Sequence, residues 1–530
     1  MTKKAMKEEH CLIGIDAGTS VVKAVAYDYS GSEICSHEIC MELRRPQPSW
    51  VEQDMGELWE TTKTCLRAVV QKVGELKRQV AGVGITSTGD GTWIIDKDGN
   101  PVRGGIMWCD GRAGKIIERL HAQGIARQAF EICGTAVFTG SQAAQLAWLR
   151  ENERDSLQKA HVIFHAKDWL FFKLTGAISS DETDESLTML RMSTRQYDRE
   201  LFRIFGIDDL YAKFPPVRPT VENTGTILPG IGRELGLRRQ TPIGSGPMDV
   251  AACALGTGAI EHGQASTVLG TAGIHQVIMD APILEPQMVG MTLCHGVKGR
   301  WMRMLAAMTA TPNLDWFLKE LGAGLSHPPS GAGDELYRGL EKVVDSVPPG
   351  SEGVVFHPYL FPGGERGPFV KPTARASFTG LSLNHSCKHL LRAVYEGVAF
   401  ATLDCYRNMP IDPEVVYLSG GGANSPVWCQ ILADCLGKPM SVPEGSQFGA
   451  KGAALNIGVA MGYYKNVEEA VRTCVKMARL YIPRPANSAI YRQLFEVYRK
   501  TAERQMDLWD LRAEIIHGAG QHDARQLRTD

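Results

Sequence analysis

The chain has 530 residues, of which 44% are hydrophobic and 22% charged, and its 57 basic and 59 acidic side chains leave a net charge of -2. That length is too great for one hydrophobic core and asks for two large domains. The balanced charge argues against the basic surface of a nucleic-acid-binding protein, and no apolar run approaches the roughly 18 residues that a membrane span needs.

Leu12 to Asp28 reads as strand, tight turn, strand, with Ile13 and Ile15 ahead of Asp16-Ala17-Gly18-Thr19-Ser20. Glu57 to Leu76 has helical spacing, and Val80 to Thr86 reads as a buried strand. Trp93–Ile95, the turn Asp98-Gly99-Asn100-Pro101 and Ile106–Trp108 read as a hairpin, followed by helices at Gly114–Gln123 and Gln142–Arg150. Thr267–Leu269, Gly270-Thr271-Ala272-Gly273 and Ile274–Met279 repeat the strand, Gly-Thr turn, strand pattern of the N-terminus. A helix is expected from Cys387 to Met409, then a strand Val415–Ser419, the run Gly420-Gly421-Gly422, and a helix starting at Ser425-Pro426. This mixture indicates an α/β class. The domains expected are 11–255 and 256–490, with a packed hinge at 246–258 and a polar tail over 517–530. Thirteen scattered cysteines without a C-x-x-C pair suit free thiols in a reducing cytosol. The polar start Met1–His10 has no apolar signal core, so a cytoplasmic location is expected.

Three segments carry chemistry. In Asp16 to Ser20, with Lys23, the glycine lets backbone N–H groups approach an anion and the hydroxyls of Thr19 and Ser20 add donors. A carboxylate there would repel phosphate unless a cation lies between them, so Asp16 suits Mg²⁺. The same residues also suit a plain hairpin turn. Asp249 follows the turn Gly244-Ser245-Gly246-Pro247; it can serve as a general base toward a substrate hydroxyl or simply open the next helix. Asp90 and Trp93, and Asp110 with Arg112, offer the carboxylates, aromatic face and guanidinium that suit a polyhydroxylated ligand; each pair also suits ordinary loops.

Taken together, these segments resemble the FGGY carbohydrate kinase family over roughly residues 11 to 485. The resemblance is carried by Ile13 to Lys23, Trp50-Val51-Glu52-Gln53-Asp54, Lys167-Asp168-Trp169-Leu170 with Leu174-Thr175-Gly176, and Leu269-Gly270-Thr271. It continues in Gly364-Glu365-Arg366, Phe378-Thr379-Gly380-Leu381, and Ser419 to Ser425 with Trp428. The resemblance implies two ribonuclease-H-like domains of the actin ATPase type flanking a catalytic cleft, and an ATP- and Mg²⁺-dependent kinase of a small sugar or polyol. By it Asp249 is the catalytic base and also meets the substrate, and Asp16 is the metal-side carboxylate. Gly18, Thr19, Ser20, Lys23, Gly270 and Thr271 are phosphate contacts, and Gly421, Gly422, Ala423 and Asn424 lie on the adenosine side. Asp90, Asp110 and Arg112 fall where the family binds its sugar.

The run Gly89 to Gly99, above all Asp90 to Trp93, looks most like the erythritol kinase branch, with kinases of L-xylulose and other ketopentoses or pentitols as the competitor. A non-catalytic sugar-sensing protein on the same fold is the alternative of another class, and the presence of both Asp16 and Asp249 speaks against it. No nucleic-acid or membrane partner is expected, and a homodimer is compatible with the chain. Xylulose kinases of the family typically have Met-His where this chain has Gly89-Asp90, which speaks against D-xylulose as substrate; further along, Gln447 stands where a glutamate is common and Lys451 interrupts an apolar stretch, departures that concern packing or adenine contacts.

Overall fold

The computed structural model describes residues 9–325 and 334–526. The chain forms two compact units, and neither is one stretch of sequence. The first comprises residues up to His262, Ile278–Arg303 and Pro443–Lys476; the second comprises Gly263–Val277, Met304–Val442 and the residues from Met477 on. The expected division at residue 255 lies close to the first crossing. The segment Pro443–Lys476, read from the sequence as part of the second domain, clusters instead with the first unit.

The first unit is built on β1 (His10–Ala17), β2 (Val21–Tyr27) and β3 (Glu33–Cys40), which are covered by helix α1 (Met55–Glu75) and joined by β4 (Gln79–Ser87). The strand β5 (Trp93–Ile95) pairs antiparallel with β6 (Val162–Phe164), and the expected hairpin is present as isolated antiparallel bridges, Thr92 with Ile106 and Ile95 with Pro101. The turn itself forms, with the Asp96 carboxylate accepting the N–H groups of Asp98 and Asn100 at 2.9 Å. Helix α2 (Ala166–Thr175), strands β7 (Thr224–Thr226) and β8 (Pro242–Ser245), and helix α3 (Asp249–Thr257) follow. The main sheet has the order β7-β8-β4-β1-β2-β3. Its central strand β1 is parallel to β4 and antiparallel to β2. Both faces of β1 are buried, so its sequence is apolar on both. Ile13 and Ile15 pack with Leu58, Leu66 and Val69 of α1, while Leu12 faces the other way.

In the second unit β9 (Gln264–Leu269) is antiparallel to β10 (Gly273–Met279) and parallel to a later strand, β11 (Val415–Ser419). This is the pairing of β1 with β2 and β4, so the repeat legible in the two Gly-Thr hairpins is a repeat of topology. Between β10 and β11 lies α4 (Cys387–Arg407), capped by Ser386 and His389. Helix α5 (Pro426–Leu436) follows β11; it opens with the Ser425 hydroxyl accepting the Trp428 N–H at 3.2 Å and Pro426 in the first turn. The Trp428 indole N–H donates to the Tyr395 carbonyl at 3.1 Å and locks α5 on α4. Strand β12 (Met440–Pro443) adds in parallel beside β11.

The chain then returns to the first unit as α6 (Phe448–Ala460), which covers the face of β1 opposite α1. Small residues set this packing. A Cβ on Gly14 of β1 would run into the Ala450 carbonyl, and a Cβ on Gly452 of α6 would run into the Ala252 carbonyl of α3. A methyl group at either place would force the backbones apart, at a cost on the order of 1–3 kcal/mol. The last helix, α7, runs from Pro485 to Gln526, into the stretch read from the sequence as a polar tail. No helix among the described residues is long and apolar enough to cross a membrane.

Candidate active site

In the first unit the parallel strands β1, β4 and β8 end together, and the candidate residues Asp16 and Asp249 lie at or just past their C-terminal ends. Asp16 lies opposite Thr86 across β1 and β4, and Ser245 lies opposite Ile85. Three contacts fix the segment after β8. The Thr86 hydroxyl donates to the Pro247 carbonyl at 2.7 Å, the Met248 N–H donates to the Thr183 hydroxyl at 2.9 Å, and the Val250 N–H donates to the Asp249 carboxylate at 2.7 Å. The loop after β4 closes on the same place. Thr88 donates its N–H to the Ala17 carbonyl at 3.3 Å, and the Gly89 N–H donates to Asp249.

Asp16 and Asp249 form no ion pair among the described residues. Burial pushes the Asp16 carboxyl up to about 6, with Lys23 opposing. Burial, then the charge of Asp16, pushes Asp249 up to about 7. Lys23 is the cross-strand partner of Asp16, yet its ammonium donates to the Gln447 side chain at 3.0 Å. A buried carboxylate at Asp16, with no ion pair among the described residues and beside a second carboxylate whose pKa it raises, is a donor that fits a divalent metal. In the turn, the Gly18 N–H donates to the Val21 carbonyl at 3.0 Å. The Thr19 hydroxyl accepts the Trp108 indole N–H at 2.9 Å, which ties this turn to the Trp108–Arg112 loop. Ser20 is exposed.

On the sugar side the structure separates the four expected residues. Asp90 is buried, with a left-handed backbone at φ 58°, a conformation found at sites that over-determine a residue's position. Asp110 and Arg112 grip one another: Nε and Nη2 of Arg112 each donate to the carboxylate at 2.9 Å, and the Val51 N–H adds a third bond at 2.6 Å. The guanidinium lies 4.1 Å from the Trp50 ring and 5.1 Å from the Trp148 ring, with Glu52 at 2.7 Å. Its Nη1 is buried with no hydrogen-bond partner among the described residues. Asp110 therefore orients the arginine. Trp93 corrects the sequence reading: it is 0% exposed, inside the hydrophobic core and packed against Gly105, so its ring is a packing element. Its neighbours Ile94 and Ile95 are buried on both faces of a short strand, which makes the whole run core.

Sequence reasoning missed a buried ionic cluster, one member of which, Asp184, acts on Asp249. Asp168, Asp181 and Asp184 bring carboxylate oxygens within 4.8 Å of one another, a grouping that could be taken for a metal site. Lys167 already supplies the cation: its ammonium lies 3.0 Å from Asp168, 2.8 Å from Asp184, and on Asp181, all at 0% side-chain exposure. Burial works against the ammonium, and the three carboxylates outweigh it and hold its pKa well above the usual lysine range. Asp181 accepts the Thr183 N–H at 2.8 Å and the Thr183 hydroxyl at 2.5 Å. Asp184 packs at Gly89. The Lys-Asp pair of the family motif was the available signal.

In the second unit Gly270 and Thr271 form the turn between β9 and β10, and Thr271 is exposed. Their carbonyls are held by the N–H groups of Thr311 and Ala310 at 2.9 Å. Glu365, pushed up to about 7 by burial, accepts the N–H groups of Met308 and Arg366 at 2.9 and 2.8 Å and steadies the same loop. Gly420 sits at φ 86° against the Leu269 backbone, where a side chain would collide, so the glycine run lies beside the Gly270 turn. Gly421 and Asn424 are exposed; Gly422 and Ala423 are buried, and the Ala423 carbonyl accepts a bond from Arg479 at 2.8 Å.

Known proteins share this chain's sequence pattern and fold. The N-terminal domain model of the FGGY family of carbohydrate kinases matches residues 11–256, and the C-terminal domain model matches 265–461. The chain is 32% identical to the erythritol kinase of Brucella abortus (strain 2308) over 517 residues, covering 96% of this chain and 98% of that protein. It is 30% identical over 495 residues to the L-xylulose/3-keto-L-gulonate kinase of Escherichia coli (strain K12), covering 92% and 95%. The crystal structure of a ligand-bound xylulose kinase from Lactobacillus acidophilus superposes with a TM-score of 0.85 at 23% identity, over 94% of this chain and 98% of that one.

Proposed function

The chain belongs to the FGGY family of carbohydrate kinases and is a kinase of a small sugar or polyol, and we propose that its substrate is erythritol, phosphorylated on a terminal hydroxyl with Asp249 as the base. Its two mixed α/β domains have the actin-like ATPase fold of that family. Carbohydrate kinases of this family use ATP.

The observation that carries the assignment of the base is the placement of Asp249. It heads α3, is fixed by N–H groups from Gly89 and Val250, and is raised by burial to about 7. A carboxyl poised there exchanges a proton near neutral pH. Asp249 takes the proton of the substrate hydroxyl as that oxygen bonds to the γ-phosphorus; the bond from the γ-phosphorus to the β-bridging oxygen breaks, and ADP leaves with the electron pair. Arg112, through Nη1, and Asp90 orient the polyol. Gly18, Thr19 and Ser20 are assigned to phosphate oxygens. Lys23 and Asp110 act one step back, on Gln447 and Arg112. In the second unit, Gly270 and Thr271 are assigned to phosphate, and Gly421 and Asn424 to the adenosine, with Gly422 and Ala423 supporting them from beneath. Asp16 fits an Mg²⁺ ion, which when bound would neutralise charge on the phosphate oxygens.

The erythritol assignment is supported by the full-length match at 32% identity and by Asp90 at the head of its run. A coupled ADP-release screen of tetritols, pentitols and ketopentoses, with the new phosphate located by phosphorus NMR, tests it. Turnover of erythritol above all others is expected. Strong turnover of L-xylulose with none of erythritol overturns the substrate, and no stimulation by any sugar or polyol overturns the kinase mechanism.

A further inference from the structure

Gln447 and Lys451, two departures from the family pattern, line one cavity in the first unit, with a volume of about 240 Å³. The cavity lies where the turn after β2 meets the N-terminal end of α6, and Ser30, Glu33, Glu444 and Lys476 also line it.

Its floor is electropositive for two independent reasons. Lys451 is only 5% exposed, and its ammonium makes no hydrogen bond or ion pair among the described residues. Burial lowers its pKa, and nearby groups do not restore it. An unpaired ammonium in such a place is costly unless a ligand completes it. The second reason is the helix end itself. The Gln447 side chain makes no cap to α6 and instead takes a bond from Lys23 at 3.0 Å. The first turn of α6 adds the positive end of the helix dipole, which the cavity shares with the Asp16 carboxylate lying against Gly449.

The acidic neighbours are arranged so as not to cancel this. Asp28 is engaged by the N–H groups of Ser30 and Ser32 and by the Ser30 hydroxyl, at 2.7 to 3.0 Å. Glu33 and Glu444 are exposed at the rim, where water screens them. Exposed Lys476 adds a second cation to the lining. A cationic floor under a rim of carboxylates and serine hydroxyls suits a ligand with an anionic head and hydroxyls behind it.

We propose that this cavity binds a small phosphate ester of a polyol, its phosphate on Lys451 and the N-terminus of α6 and its hydroxyls on the Glu33 and Glu444 rim. This is the chemical class of the kinase's own product, bound outside the site where the product forms. Lys451 is placed in no part of the phosphoryl-transfer machinery.

Calorimetric titration of the full chain, saturated with ADP to fill the nucleotide site, tests this with inorganic phosphate and glycerol phosphate as probes. Wild type and Lys451→Arg should bind both. Lys451→Leu should lose about tenfold or more in affinity, the worth of a buried charge-assisted bond, while its kinase turnover without added anion stays at the wild-type level. Lys476→Gln, which leaves the floor intact, should lose less. Glycerol phosphate should bind more tightly than inorganic phosphate if the rim meets the hydroxyls; equal affinities overturn the ester and leave a phosphate site. Binding unchanged in Lys451→Leu, or no binding of either probe to wild type, overturns the site.

Discussion

The Thr183 hydroxyl accepts the backbone N–H of Met248 at 2.9 Å, one residue before Asp249, and the Thr183 N–H donates to Asp181 at 2.8 Å. Lys167 holds Asp181 in turn. A fully buried ion cluster thereby reaches the base through two hydrogen bonds and a peptide unit. Thr183→Val keeps the shape and leaves the Met248 N–H unsatisfied, a loss of about 1–3 kcal/mol. Turnover should fall roughly tenfold with KM for ATP unchanged, and Thr183→Ser should recover most of it. Steady-state kinetics of the two variants decide the matter; equal loss in both would show that the hydroxyl is not what positions the base.

Asp249→Asn should lower kcat by about 10² to 10⁴-fold, the usual worth of a general base, while ATP still binds. It should also stabilise the protein at alkaline pH. The folded carboxyl is pushed up to about 7, so wild-type folding is favoured by the bound proton below the ordinary carboxylate range, and that contribution is lost as pH rises through 7. Asparagine has no such loss. Melting temperatures of the two proteins should be close near pH 5 and differ by a few degrees in favour of the variant at pH 8.

The same carboxyl sets the acid limb of catalysis. Only deprotonated Asp249 accepts the hydroxyl proton, so kcat/KM should rise with pH and level off above about 7. Asp16→Asn removes the second cause of the upward shift. Its residual activity should show an acid limb moved to lower pH, together with a weakened dependence on Mg²⁺ concentration. A limb that stays in place would mean that Asp16 does not act on the base.

Trp93→Ala should destabilise the first unit by about 3–5 kcal/mol, as deletion of a fully buried aromatic does. Trp93→Phe should fold and keep the KM for the polyol. A polyol KM raised tenfold in Trp93→Phe at unchanged melting temperature would return the indole to the substrate.

Much of this was legible in the residues, and the failures have identifiable causes. The turn at Asp16 could be read because an apolar strand stops at a glycine between hydroxyls, a local signal that needs no tertiary information. Asp249 could be read because a Gly-Pro turn precedes it. Trp93 misled because Trp-Ile-Ile after a polar loop looks like an exposed aromatic, and only the pairing of β5 with β6 seals it. An ion pair between Asp110 and Arg112 suits an ordinary surface loop, and what the i and i+2 spacing hid is that the pair is fully buried. Lys167 was visible only as half of a Lys-Asp motif and Thr183 not at all: Asp181, Asp184 and Met248 come from segments distant in sequence, and ionic clusters of zero exposure look from composition like ordinary surface charge. The place of Pro443–Lys476 was hidden for the same reason, because glycines that admit backbone contact look the same as glycines in turns.

The docking of α6 on β1 has a consequence during synthesis on the ribosome. The strands of the first sheet have all emerged by Ser245, yet the helix that covers Leu12, Val25 and Gly14 ends at Ala460. The nascent chain therefore carries an uncovered apolar face for about two hundred further residues, on the order of 10 to 40 s at ordinary elongation rates. A fragment ending at residue 255 would carry that face permanently, and as a separately expressed polypeptide it should be captured by chaperones or aggregate.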